Sequence, residues 1–221
     1  LHFPYPEDNA MPHGDHAVFV VDDDKRVRDG LSELLESRGI GVTAFASARE
    51  YLEAPKPDNP SCLVLDVRLP DIDGFELQAR LANEPHPPIV FITGHGDIPM
   101  TVRAMKLGAV DFLPKPFRDY ELLAAIQTAL ERDREARRDR SVLNELQGRL
   151  NRLSARERDV LPLVVSGLMN KQGAAELGIS EITFQIHRGN LMRKMHADSL
   201  ADLVRIATKL GIPITHSRHG N

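Results

Sequence analysis

The sequence predicts an α/β protein: a five-stranded, doubly wound parallel sheet, then a long helical linker, then a small all-α domain. Three observations carry this. Five short apolar runs alternate with helical patterns up to about residue 130. A stretch charged on all sides follows at 131–140. Beyond it come four helical patterns, two of them joined by a glycine turn.

Residues 17–21 form a continuous apolar run, the pattern of a buried strand, and end in Asp22-Asp23-Asp24. Val27, Leu31, Leu34 and Leu35 then recur at helical spacing, with Gly39 as the stop. Residues 42–45 are a second strand. Residues 48–54 are a short helix, closed by the Pro-rich loop 55–60. The third strand, 62–65, stops at Asp66 and gives way to the turn residues Pro70, Asp71, Asp73 and Gly74. Residues 75–82 are helical, and 89–92 form the fourth strand, ending in Thr93-Gly94-His95-Gly96-Asp97. Pro99 suits the first position of the next helix, which runs to Leu107-Gly108. The fifth strand, 110–113, ends in Pro114-Lys115-Pro116-Phe117, and a long helix starts near Asp119.

Continuous apolar strands separated by helices require a parallel sheet covered on both faces. Right-handed crossovers then bring every strand's carboxyl end to one rim, where open α/β sheets bind ligands. That rim collects Asp22, Asp23, Asp66, Thr93 and Lys115. Three gathered carboxylates repel one another unless a cation compensates them. Oxygen ligands without His or Cys nearby point to Mg²⁺ rather than Zn²⁺. Lys115 supplies a point charge for phosphate and Thr93 a hydroxyl. A carboxylate nucleophile, a hard cation, a lysine and a hydroxyl make a phosphoryl-transfer site yielding an aspartyl phosphate. Asp24, Asp71 and Asp73 read as solvated turn residues, His95 as an exposed loop residue, and Cys62 as a core residue.

Composition sets the bounds. The chain has 221 residues, 42% hydrophobic and 27% charged, as in ordinary globular domains. No apolar run approaches the ~20 residues of a membrane span. No secretory pattern is present, and one cysteine permits no internal disulfide, which fits a cytoplasmic setting. Residues 1–16 read as a disordered tail with Met11 as a second candidate start, and His13 and His16 in it as incidental. The net charge of −4 is uneven: 141–221 carries 11 Lys+Arg against 7 Asp+Glu, and the remainder 17 against 25. An acidic first part and a basic second part make the latter a candidate for nucleic acid.

In the linker, Leu123, Ile126 and Leu130 form one stripe, and 131–140 reads as a solvated, ion-paired helix. Leu143, Leu146, Leu150 and Leu153 repeat by three and four, open to either a dimerising spacer or a simple tether. Ser154 and Glu157 have capping-box spacing. The helix they open runs to Gly167, a second spans 171–177 before Gly178, Ser180 caps a third, and a fourth runs from 200 to 210. On the third, Phe184, His187, Leu191 and Met195 form the core face. Ile182, Gln185, Ile186, Gly189 and Arg193 therefore face out. Gln185 suits adenine edges and Ile186 a thymine methyl in a major groove. Arg188, Arg193, Lys194 and Lys171 suit phosphates.

The stretches Val20-Val21-Asp22-Asp23-Asp24, Leu65-Asp66-Val67-Arg68-Leu69-Pro70, Phe91-Ile92-Thr93-Gly94-His95-Gly96-Asp97 and Asp111-Phe112-Leu113-Pro114-Lys115-Pro116-Phe117 resemble the receiver domain of two-component response regulators. Leu153-Ser154-Ala155-Arg156-Glu157-Arg158-Asp159-Val160-Leu161, Gly167-Leu168-Met169-Asn170-Lys171, Leu177-Gly178-Ile179-Ser180 and Asn190-Leu191-Met192-Arg193-Lys194-Met195 resemble the LuxR-type helix-turn-helix. Together they are similar to the FixJ/NarL subgroup of transcription regulators. The resemblance implies a flavodoxin-like receiver at 17–130, a linker at 131–152 and a DNA-binding domain at 153–221. It implies Asp66 as phosphoacceptor, and Mg²⁺ on Asp23, Asp66 and the main-chain carbonyl of Arg68, with Asp22 acting mainly through a water. Thr93 and Lys115 would contact the phosphoryl group, Phe112 would rotate inward, and Lys115-Pro116 would be cis.

A sensor histidine kinase, promoter DNA and a second copy of the chain on phosphorylation are the implied partners, with RNA polymerase as a further candidate. The receiver would promote only its own phosphorylation and dephosphorylation. Two rivals differ in class. An aspartyl-phosphate phosphatase would need a second Asp two residues after Asp66, where Arg68 stands. A phosphorylation-independent adaptor would not need the full acidic set. Three positions depart from the family pattern. Gly173 replaces a larger residue, at a helix-interior cost of about 1 kcal/mol. Phe184 replaces a smaller β-branched residue, and Gln185 a common lysine.

Overall fold

The computed structural model describes residues 16–94 and 98–213. Residues 1–15 of the expected tail, with Met11 and His13, lie outside them, as does His95. The strands are β1 (Ala17–Val21), β2 (Val42–Phe45), β3 (Ser61–Asp66), β4 (Ile89–Thr93) and β5 (Asp111–Pro114). The helices are α1 (Lys25–Ser37), α2 (Ala48–Glu53), α3 (Gly74–Leu81), α4 (Ile98–Lys106), α5 (Asp119–Asn151), α6 (Ala155–Val165), α7 (Asn170–Leu177), α8 (Glu181–Met195) and α9 (Leu200–Lys209).

The sheet order is β2-β1-β3-β4-β5, with every pair parallel. Both faces are covered. Val18, Val20, Cys62, Val64, Val90 and Ile92 pack with Leu31 and Leu35 of α1 and Leu122 and Ile126 of α5. The alternate residues Phe19, Val21, Leu63, Leu65 and Phe91 pack with Phe75 and Leu77 of α3 and Ala104 of α4. The period-2 alternation therefore sends each strand's side chains into two separate cores, which is why the runs are apolar throughout.

Acids in the turns cap helices. Asp24 accepts from the Arg26 N–H at 2.9 Å and Asp73 from the Phe75 N–H at 2.9 Å. Asp71 reaches the start of α2, accepting from the N–H groups of Ala48 (3.3 Å) and Arg49 (2.9 Å). These acids satisfy main-chain donors at the starts of α1, α2 and α3, a role that solvation alone does not describe.

Three expectations are corrected in the first unit. His16 is buried at the entrance to β1 rather than part of a tail. The run 131–140 is not solvated on all sides, because Asp133 is buried. Its Oδ2 accepts from the Ser61 N–H at 2.8 Å and from Arg137 Nε at 2.7 Å, and Arg137 reaches Asp58 at 2.5 Å. The β3 entrance has a main-chain donor to satisfy, and α5 supplies the acceptor. The first compact unit accordingly extends to Arg137, and the second begins at Arg138. On α5, Leu122 rather than Leu123 lies at the centre of the buried stripe.

The second unit is helical. Ser154 and Glu157 form the capping box, and Ser180 and Ser199 cap α8 and α9. Gly178 closes α7 at φ 63°, a left-handed position that suits glycine. Leu153, Val160, Leu161, Val164, Phe184, Leu191, Met195 and Leu203 form the core, with Leu150 packed against it. The lower part of the expected leucine stripe thus belongs to this core, leaving Val142 and Leu143 exposed. Glu157 is buried and accepts from Lys194 Nζ at 2.7 Å and the Ser154 N–H at 2.8 Å. Burial alone would raise its pKa; the Lys194 and Ser154 bonds outweigh this and hold it below the ordinary glutamate value. A depressed carboxylate pKa stabilises the fold above the unfolded value and is lost as pH falls through the folded one. The second unit is therefore expected to lose urea resistance as pH falls below about 4.5. Glu157→Gln should flatten that acid limb, which urea midpoints across pH will show.

Candidate functional site

Sheet register builds the rim. Val21 lies beside Leu65, so Asp22 emerges next to Asp66. Asp66 pairs with Ile92, placing Thr93 one step beyond. Thr93 pairs with Pro114, so Lys115 follows, its N–H donating to the Thr93 carbonyl at 2.7 Å. Five residues distant in sequence converge because each sits at or just past the carboxyl end of its strand. Order β2-β1-β3 makes the β1/β3 crevice the topological switch point, where ligands bind in open α/β sheets.

The geometry is that of an acidic cluster clamped by a lysine. Asp22, Asp23 and Asp66 can present one carboxylate oxygen each within 4.8 Å of one another. Asp22 and Asp66 are buried and Asp23 is exposed. Lys115 Nζ lies 2.5 Å from Asp22 Oδ2 and 3.2 Å from Asp66 Oδ2. The Asp24 N–H donates to Asp22 Oδ1 at 2.9 Å. Burial pushes the Asp66 carboxyl above its ordinary range and the Asp22 charge adds to this; Lys115 and the Arg68 N–H oppose it. Lys115 is half-buried, which would lower its pKa, yet its bonds to Asp22 and Asp66 carry it above the ordinary lysine value. One ammonium against three carboxylates leaves a deficit that a divalent cation would balance. The donor set holds oxygen only, as a hard cation requires.

Thr93 is buried at the end of β4. Phe112 is buried too, its ring centroid 6.2 Å from that of Phe91, which packs at 5.1 Å on Phe75. The Lys115-Pro116 bond is cis, as expected. The Arg68 side chain is exposed, and no acid stands there to serve as a second catalytic carboxyl. Gly74 escaped the sequence reading as a site residue. A Cβ there would lie 2.6 Å from the Asp66 carbonyl oxygen and 3.2 Å from a Phe91 ring atom. Only glycine lets α3 start this close to the phosphoacceptor candidate; the Asp-Gly pair after the strand was the available signal.

In the second unit, Ile182, Gln185, Ile186, Gly189 and Arg193 are exposed on α8, as the spacing predicts. Phe184, Leu191 and Met195 face the core, with His187 half-buried. Lys171 is exposed at the start of α7. Two expected phosphate contacts stand differently. Arg188 is half-buried and donates to Asn170 Oδ1 at 2.8 Å. Lys194 is half-buried and held by Glu157, because its helical position turns it toward α6 rather than outward. Exposed Met169, just before α7, is a surface residue that the sequence reading missed.

Comparisons with known proteins agree with this division. The response regulator receiver domain model matches residues 18–127, and that of the LuxR family of bacterial regulatory proteins matches residues 151–207. Nodulation protein W of Bradyrhizobium diazoefficiens is 57% identical over 201 residues, covering 90% of this chain and 88% of that protein. The transcriptional regulatory protein FixJ of the same organism is 45% identical over 196 residues, covering 88% and 96%. The solved structure of the response regulator StyR shares 50% identity at a TM-score of 0.77, covering 89% of this chain and all of that one. With both halves matched in order and relatives similar along nearly their whole length, the chain belongs to the response regulators of the FixJ type, in which a receiver domain precedes a LuxR-type helix-turn-helix domain.

Proposed function

We propose that Asp66 accepts a phosphoryl group from a sensor histidine kinase and that the aspartyl phosphate switches DNA binding by the second unit. The single observation that carries this is the clamp at the rim: Lys115 Nζ between Asp22 and Asp66, at 2.5 and 3.2 Å. An Asp66 carboxylate oxygen attacks the phosphorus, the P–N bond to the donor imidazole breaks, and the imidazole takes up a proton. Lys115 is placed to meet the oxygens of the transferred group, and Thr93, at the end of the neighbouring strand, donates its hydroxyl to one of them. A bound Mg²⁺ supplies neutralisation of the negative charge brought together here. Asp23, Asp66 and the main-chain carbonyl of Arg68 would hold it, with Asp22 behind them. Phe112 reports the state of Thr93 through its packing against Phe91.

The working division is receiver 17–130, linker 131–152 and DNA-binding domain 153–221, with Asp133 anchoring the first turn of the linker to the receiver. Ile98, Val102, Met105 and Leu107, exposed on and just after α4, support a self-association face on the receiver. Paired copies would read paired half-sites. On α8, Gln185 and Ile186 address base edges, Arg193 and, from the start of α7, Lys171 address the phosphates, and Gly189 permits close backbone approach. Arg188 and Lys194 serve first to hold Asn170 and Glu157. The protein acts on promoters in the cytoplasm, with RNA polymerase a candidate partner at the bound site. Among the described residues, no helix is long and apolar enough to cross a membrane.

The test is DNA affinity with and without a small-molecule phosphodonor and Mg²⁺. The DNA is drawn from a randomised pool by the phosphodonor-treated chain. Affinity should rise about tenfold on treatment, within the usual range of allosteric coupling. Asp66→Asn should show no rise. Equal affinities for treated and untreated native chain would overturn the switch.

A further inference from the structure

We infer that Arg28, on the second turn of α1, is a positioning residue that sets the two β1 carboxylates for the cation. This deepens the reading of the rim as a metal-dependent phosphorylation site and rests on it. The Arg28 side chain is half-buried, and its Nη1 donates to two consecutive main-chain carbonyls, those of Asp22 (2.7 Å) and Asp23 (2.9 Å). Its own N–H donates to the third, the carbonyl of Asp24, at 3.1 Å. One residue therefore holds all three carbonyls of the acidic triplet.

The consequence follows from chain geometry. A residue just past a strand end has lost its ladder partners, and its φ and ψ are set by whatever else binds its peptide groups. The Asp22 N–H is still held, by the Phe45 carbonyl at 3.2 Å. Arg28 takes the carbonyls that follow. With both fixed, the peptide between Asp22 and Asp23 is fixed as well. That peptide decides where the two side chains project: Asp22 inward to Lys115, Asp23 outward to the exposed edge of the cluster. The Asp24 N–H bond to Asp22 Oδ1 closes the same turn from the other side. Arginine suits the task. Its terminal NH₂ carries two hydrogens in one plane, able to span adjacent carbonyls, and its charge stays on at any working pH. Binding carbonyls rather than the carboxylates, it leaves the acids' oxygens to the cation.

Such supporting contacts govern metal affinity even though they touch no metal. Loss of an outer hydrogen-bonding partner commonly weakens binding by 10- to 100-fold. Arg28→Met keeps the aliphatic stem and removes both hydrogen bonds. Mg²⁺ binding to the full-length chain is to be measured by isothermal titration calorimetry, since the sequence contains no tryptophan to report by fluorescence. Thermal unfolding in the presence of chelator serves as the stability control. We expect the Mg²⁺ Kd of Arg28→Met to rise about tenfold, while its melting temperature in chelator stays near the native value. Arg28→Lys, which keeps a cationic donor on a shorter reach, should fall between the two. Native-like Mg²⁺ affinity in a folded Arg28→Met chain would overturn the inference. If Arg28→Met does not fold, Arg28→Gln decides by the same criterion. Asp23→Asn separates the two levels of the argument. If it binds Mg²⁺ as the native chain does, the metal reading of the rim fails. If Asp23→Asn weakens binding and the Arg28 variants do not, only the role of Arg28 fails.

Discussion

Lys115→Met is expected to lower the stability of the first unit in metal-free buffer by about 3 kcal/mol, the cost of leaving buried charge without its partner. The reason is local. Asp22 and Asp66 are buried, and Lys115 bridges them at 2.5 and 3.2 Å. Methionine fills the same space without the charge, so Asp66 loses the attraction that opposes its burial. Two further effects separate this from simple damage. Mg²⁺ should bind the variant more tightly than the native chain, because one positive charge has left the neighbourhood of the cation. Phosphodonor treatment should no longer raise DNA affinity, because the group that meets the phosphoryl oxygens is gone. Urea unfolding with and without Mg²⁺, beside the DNA assay, checks all three. Unchanged stability in chelator, together with an intact DNA response, would remove Lys115 from the account.

The second large effect lies in the helix-turn-helix unit. The two core departures from the family pattern, Gly173 and Phe184, are one feature. A Cβ at Gly173 would run into the ring edge of Phe184, meeting Cζ and Cε2 first and lying 3.1 Å from Cε1. Phe184 is fully buried and has nowhere to swing. The glycine is the space the ring occupies. Gly173→Ala should therefore destabilise the unit by about 2 kcal/mol despite alanine's better helix propensity, because overpacking outweighs it. Phe184→Val alone should cost about 2–3 kcal/mol through the cavity it leaves. The double variant should be more stable than the sum of the two losses by about 2 kcal/mol, a coupling of the size seen for residues in contact. Urea unfolding of the three variants gives the cycle, and strict additivity would show that the two residues are independent.

What the sequence made legible, and what it did not, follows from the range of the forces involved. Asp22, Asp23, Asp66, Thr93 and Lys115 were readable because strand ends are marked locally, where an apolar run meets a polar residue, and parallel topology does the rest. The exposed face of α8 was readable because helical periodicity alone separates Gln185 and Ile186 from Phe184 and Leu191. Asp133 was not readable. Inside the run Glu131-Arg132-Asp133-Arg134 it looks like its neighbours, and only the main-chain donor of Ser61, 72 residues earlier, distinguishes it. The bonds of Lys194 to Glu157 and of Arg188 to Asn170 were not readable for the same reason: those partners lie on other helices. Gly173 taken alone was a helix penalty; beside Phe184 it is a packing requirement. Arg28 belonged to no motif, because its partners are carbonyl groups, which every residue carries.

The central claim is that Asp66 carries the phosphate. The direct measurement is to treat the full-length chain with a small phosphodonor and Mg²⁺, reduce the acyl phosphate chemically, and map the modified peptide by mass spectrometry. The account predicts modification at Asp66 that requires the cation and disappears in Asp66→Asn. Modification at another carboxylate, or none in a folded chain that binds Mg²⁺, would contradict it.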